Sequence, residues 1–229
     1  MTLVLHRASG QQTQFVVLNG ITWQTYQALL KDLGNQRALR LAYDQGFLEI
    51  IMPSDLHDFI SRLLEALIRA LTEELGLPLR GYGSTTLDRS DLERGVEPDS
   101  CFYIQHVQQV LGKSRPGKPE TRLDLTTDPP PDLAVEVDIA SSSYRRFGIY
   151  QQLRIPEVWR YTEQDGLVIY QLQAEQYVEC EFSPTFPMVS GAALMPFLKM
   201  AETTDDNSVI RALRQWICTR STPSPEDNF

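Results

Sequence analysis

The chain has 229 residues, 42% of them hydrophobic and 22% charged, and a formal net charge of −9. That length suits one domain with small appendages. The acidic balance argues against a generally basic surface that coats nucleic acid, while leaving room for a local basic channel or a site that gathers cations. No apolar run approaches the roughly 20 residues of a membrane-spanning helix. Cys101, Cys180 and Cys218 are odd in number and lack CxxC or metal-ligand spacing. With no secretory leader in view, they read as reduced thiols of a cytoplasmic protein.

In chain order, residues 1–34 read as an N-terminal extension and helix. A strand is expected at 15–18. Thr22 or Asn19 then caps a helix through Trp23, Tyr26, Leu29, Leu30 and Leu33, and Gly34 and Asn35 end it. Two strand-like runs, 39–43 and 47–52, flank Asp44, Gln45 and Gly46 and predict a β-hairpin. Pro53, Ser54 and Asp55 break it and cap the clearest helix, residues 55–76. There Leu56, Phe59, Ile60, Leu63, Leu64, Leu67, Ile68, Leu71 and Leu75 form a wide apolar stripe, and Gly76 supplies the stop. Glu65 lies beside the stripe and His57 in the first turn. Both are expected at the solvated surface, His57 with capping as its other role.

After Pro78 the chain is turn-rich as far as Gly95. Val96, Glu97, Pro98 and Asp99 then lead into a strand ending near Ile104, with Asp99 at the strand entrance or a bulge because Pro98 suits no central ladder. Residues 105–127 read as loop or short helix, with Pro116 and Gly117 marking a turn among Lys113, Arg115, Lys118 and Arg122. Asp128 and three prolines form a stiff approach to Leu133, Ala134, Val135, Glu136 and Val137, a short buried strand with one acid at its centre. Strand alternation points Glu136 and Asp138 the same way. Ser141, Ser142 and Ser143 offer caps for a helix bearing Arg145 and Arg146. A carboxylate in an apolar strand must be paired or bind a metal. An ion pair of Glu136 with Arg145 or Arg146 is therefore one reading, and a metal site with a second acidic strand end, Asp99, is the other. A strand at 158–161, the Asp165–Gly166 turn, and strands at 167–172 and 177–182 form a C-terminal meander. A helix at 208–219 follows, and the last ten residues read as disordered.

In that order, Glu97-Pro98-Asp99, the run from Pro131 through Val137, and the run from Tyr150 through Ile155, Pro156, Glu157, Val158 and Trp159 resemble the PD-(D/E)xK restriction-endonuclease-like superfamily. Within it they look most like the Uma-type endonucleases, formerly a domain of unknown function. The likeness extends over about residues 35–200, leaving 201–229 as a C-terminal helix and tail. It implies an α/β fold, a restriction-endonuclease-like mixed central β-sheet flanked by helices. It also implies Asp99 and Glu136 as ligands of Mg²⁺ (or Mn²⁺), DNA as substrate, and hydrolysis of phosphodiester bonds. The motif lysine two positions after Glu136 is replaced by Asp138, an extra ligand or a turn residue capping the helix. Counting back from Tyr150 places Arg146 at the migrated basic position. Arginine cannot act as a general base, but Arg146 can hold a phosphate and stabilise charge. The alternative is a catalytically degenerate nuclease fold acting as a binding or regulatory module. No membrane is expected as a partner, a homo-oligomer is left open, and so are the roles of Glu65 and Asp132.

Overall fold

The computed structural model describes residues 3–6, 14–34, 39–113, 123–139 and 143–221. The expected turn and cations at 115–118 and 122, the caps at Ser141 and Ser142, the helix stop at Asn35, and the tail beyond 221 lie outside those residues.

Strands β1 (Leu3–His6) and β2 (Gln14–Asn19) precede α1 (Trp23–Leu33), whose first turn is capped by the Thr22 hydroxyl accepting from Thr25 N–H at 3.2 Å. β3 (Arg40–Asp44) and β4 (Phe47–Met52) make the expected hairpin. Its two turn residues, Gln45 and Gly46, both have positive φ, as tight hairpin turns require. α2 (Asp55–Glu74) follows with Ser54 as its cap, and its stripe of Ile60, Leu63, Leu64, Leu67, Ile68 and Leu71 is buried.

The turn-rich stretch carries three short strands, β5 (Arg80–Gly81), β6 (Leu87–Arg89) and β7 (Arg94–Val96), then β8 (Ser100–Tyr103) and α3 (Val107–Val110). The acidic strand is β9 (Leu133–Asp138), the basic helix α4 (Tyr144–Gln152), and the meander β10 (Glu157–Thr162), β11 (Gly166–Gln173) and β12 (Gln176–Cys180). Helices α5 (Gly191–Met200) and α6 (Asp206–Ser221) end the described chain.

The strands form two six-stranded sheets, one of them the expected mixed sheet with its antiparallel meander. One is antiparallel throughout, in the order β1-β2-β4-β3-β7-β6. The other, β12-β11-β10-β9-β8-β5, is mixed, with β9 and β10 parallel and β10-β11-β12 the antiparallel meander. On β9 the side chains divide cleanly between two layers. Leu133, Val135 and Val137 join the core under α2, α5 and α6, whereas Ala134 joins Ile149 and Tyr150 of α4 on the opposite face. Glu136 shares the α4 side by alternation. That division is what brings an acid on a strand against a base on a helix.

Candidate active site

β8 and β9 pair antiparallel with Cys101 opposite Ala134. Two residues beyond that pair on each strand stand Asp99 and Glu136, which alternation puts on one face. Asp99 lies at the mouth of β8, where its N–H donates to Val135 O at 3.1 Å. Its preceding residue, Pro98, has no N–H to offer a ladder.

Asp99 is buried and closely held. Oδ2 accepts from Val137 N–H at 2.6 Å and from His57 Nε2 at 3.0 Å, and Oδ1 faces Arg40 Nε at 3.1 Å. Burial opposes its charge, but the hydrogen bond and charge of His57, then the charges of Arg40 and Arg146, hold the carboxyl below its ordinary value. His57 is therefore not the solvated residue expected from its place in a first turn. It is 3% exposed, because the first turn of α2 directs its imidazole onto the Asp99 carboxylate. Burial alone would discharge it, yet the hydrogen bond and charge of Asp99 raise its pKa. Glu65 stays on the outer side of α2, paired with Arg69 at 3.5 Å.

Glu136 is 2% exposed. Oε2 accepts from Arg146 Nη2 at 2.9 Å and Oε1 accepts from the Tyr150 hydroxyl. Burial pushes its carboxyl up to about 7, with the charges of Asp99 and Asp138 adding to the rise and Arg146 and Tyr150 pulling against it. Arg146, also buried, spans three carboxylates: Nη2 also reaches Asp138 Oδ1 at 3.0 Å, and Nη1 reaches Glu49 Oε2 on β4 at 3.3 Å. Burial opposes the guanidinium charge, and these three anions more than restore it. Arg146 and Tyr150, one helical turn apart, share the face turned to Glu136, while Arg145 turns outward over the Phe47 ring.

Asp138 accepts from Ser143 N–H at 2.8 Å and Ser143 Oγ at 2.7 Å, so it ties down the start of α4. Ser143 itself makes no side-chain cap bond. Asp138 also accepts from Arg160 Nε at 2.7 Å. Two further acids are structural. Glu97 accepts from Leu41 N–H at 2.8 Å and Thr86 Oγ1 at 2.7 Å, and Asp132 gathers the N–H groups of Ile104, Gln105 and His106. Sequence reasoning gave no site role to Arg40, Glu49 and Arg160, left His57 at the surface, and used Tyr150 only as the marker that places Arg146. Glu49 and Arg160 carry the signal that found Glu136, one charge inside an apolar strand.

Asp99 and Glu136 fit a hard divalent ion in kind, since Mg²⁺ takes one or two carboxylates and completes its shell with water and phosphate. Among the described residues, Glu136 Oε1 and Glu136 Oε2 each accept one donor and Asp99 Oδ1 lies in an ion pair with Arg40, so each keeps a lone pair. No group of three or more His, Cys, Asp or Glu side chains is gathered as a closed metal cage among those residues. The neutralising cation at Glu136 is the guanidinium of Arg146. Beside this cluster a groove of about 260 Å³ runs between β3–β4 and α4, lined by Val17, Ala42, Asp44, Phe47, Glu49, Arg145, Arg146 and Ile149.

A solved structure with a similar fold is a "putative nuclease belonging to DUF820" from Anabaena variabilis ATCC 29413. It has a TM-score of 0.50 and 15% sequence identity, and the match covers 77% of this chain and 98% of that one. The likeness is one of fold, a mixed α/β architecture. No curated protein matches the chain. The family model described as "Uma2: Putative restriction endonuclease" matches residues 23–201, the span that holds every residue of the ion cluster, and the chain belongs to that family.

Proposed function

We infer that the chain is a metal-dependent endonuclease hydrolysing DNA phosphodiester bonds. The observation that carries this is the placement of Asp99 and Glu136 on one face of neighbouring strands, with Arg146 held against Glu136 at 2.9 Å. Asp99 and Glu136 would hold Mg²⁺ or Mn²⁺. When bound, the ion supplies a more acidic water and takes up negative charge on the phosphate. The chain's own side chains do the rest. His57, Arg40 and Val137 N–H fix the Asp99 carboxylate, and Tyr150 orients that of Glu136. Arg146 remains protonated, so it binds and stabilises a phosphate rather than abstracting a proton.

The test is single-turnover cleavage of supercoiled DNA with Mg²⁺ or Mn²⁺ at saturating protein. Arg146→Ala should cut slower by roughly 10²–10³, as when one oxyanion donor is removed. Arg146→Lys should keep or exceed wild-type activity, since lysine can also lose a proton. Arg145→Ala should cut near the wild-type rate. A second reading, a binding module on a degenerate nuclease fold, is favoured by the way Arg146 occupies Glu136 and by the absence of the motif lysine. It takes over if no variant, wild type included, cuts any substrate while a nucleic acid still binds.

A further inference from the structure

The sheet built on β3 and β4 packs one face on α1 through Tyr26, Leu41, Tyr43 and Leu48. Its other face forms the floor of the groove, with Ala42, Asp44, Phe47 and Glu49 alternating on the two strands and Arg145, Arg146 and Ile149 as the helical wall. Phe47 is 50% exposed, and the Arg145 guanidinium lies over its ring at 5.7 Å. Next to Arg145 stands Tyr144, 65% exposed, with the Arg160 guanidinium at 4.6 Å from its ring. At the inner end Arg146 Nε is a buried donor with no acceptor among the described residues. Two solvent-facing aromatics, each covered by an arginine, beside a groove whose inner wall has an unmet donor, match the way single strands are bound. Bases stack on rings while guanidinium groups follow the phosphates.

We propose that this groove seats an unpaired base of a nucleic-acid strand on the Phe47 ring, making the substrate single-stranded at the point of binding. The groove, of about 260 Å³, is smaller than the 300–1,000 Å³ or so of sites for whole small-molecule ligands, in keeping with a single base as its occupant. Stacking on Phe47 displaces the Arg145 guanidinium, which then pairs with the adjoining phosphate. Asp44 and Glu49 on the groove wall offer acceptors to exocyclic amino groups, and Arg146 Nε gains an acceptor oxygen from the strand. In the groove lining Arg145 and Arg146 balance Asp44 and Glu49; Arg94 holds Asp44 at 2.8 Å and Arg146 holds Glu49 at 3.3 Å, which leaves the exposed Arg145 guanidinium to meet the phosphate. The identity of the strand rests on the nuclease reading, whereas the stacking geometry does not.

The experiment is fluorescence anisotropy of a short labelled single-stranded oligonucleotide, and of its duplex, with the full chain in EDTA so that binding is read without cleavage. Cleavage of supercoiled DNA with Mn²⁺ is assayed in parallel. Wild type should bind the single strand more tightly than the duplex. Phe47→Ala should weaken single-strand binding about tenfold, and Phe47→Tyr should restore it, in line with the loss of one stacked base. Duplex bound as tightly as single strand, or Phe47→Ala binding like wild type, overturns the proposal even where cleavage persists and the nuclease reading stands. Binding that depends on Phe47 without any cleavage upholds the groove and removes the nuclease reading instead.

Discussion

Glu136 has to be ionised to attract a cation, and its surroundings set the pH at which that happens. Burial moves its carboxyl from an ordinary 4.5 up to about 7, so between those values the folded chain keeps a proton that the unfolded chain has released. The stability this contributes is complete below about pH 4.5 and is lost as pH rises through about 7. Glu136→Gln keeps the shape and never ionises. In metal-free buffer the urea midpoint of wild type should therefore fall more between about pH 5 and about pH 8 than that of the variant. His57, whose pKa is also raised, chiefly against burial by the hydrogen bond and charge of Asp99, loses its contribution in the same sense in both proteins, and the Glu136 charge that adds to its rise makes part of the difference a shared property of the pair. At this scale the sequence displayed Asp99, Glu136 and Arg146, because an acid in an apolar strand and a basic residue one turn before Tyr150 are local patterns. His57 and Arg40 were not legible. Their partner Asp99 is distant in the chain, and a first-turn histidine on an exposed helix start would look identical.

Among the elements, α2 and the β3–β4 hairpin were readable from apolar spacing and turn chemistry, whereas α5 was not. Its sequence is apolar on most sides and contains Pro196, so no amphipathic stripe marks it. What fixes α5 is close approach to β11: a Cβ on Gly191 would come within 1.9 Å of Leu167 O. Gly191→Ala must push the helix off the sheet and should cost about 1–3 kcal/mol. Gly148 in α4 is the opposite case, with nothing within 4 Å of a built Cβ. Gly148→Ala should raise stability by about 0.5–1 kcal/mol and steady the helix that carries Arg146. Urea titrations of the two variants separate these outcomes, and a destabilised Gly148→Ala would mean that α4 needs its backbone freedom. The short strands β6 and β7 escaped notice because three residues are too few to show a period. They count only as the edge that completes β3.

For the whole molecule, the net charge of −9 and the local arginines make opposite demands on a polyanionic partner. If, as proposed, Arg145 and Arg146 are the described residues that meet phosphates, binding should respond weakly to salt. Two neutralised phosphates on a single strand give a log–log slope of about −1.4, at roughly 0.7 per contact. Anisotropy titrations across salt concentrations read this directly, and a slope of about −4 or steeper would require a larger basic surface than the groove supplies. The two-sheet arrangement could not be read from local pattern. It depends on pairings such as β3 with β7 and on ion pairs joining the sheets, among them Glu49 with Arg146, 97 residues apart.

That separation has a consequence for a chain made from its N-terminus. Glu49, Glu136 and Asp138 leave the ribosome before the guanidinium that neutralises them, and Arg160, the second partner of Asp138, comes later still. A product truncated ahead of α4 holds three acids that can be buried together only by taking up protons or a cation, which makes closing these strands costly before Arg146 arrives. Closure of this cluster therefore waits on α4, the element that brings Arg146.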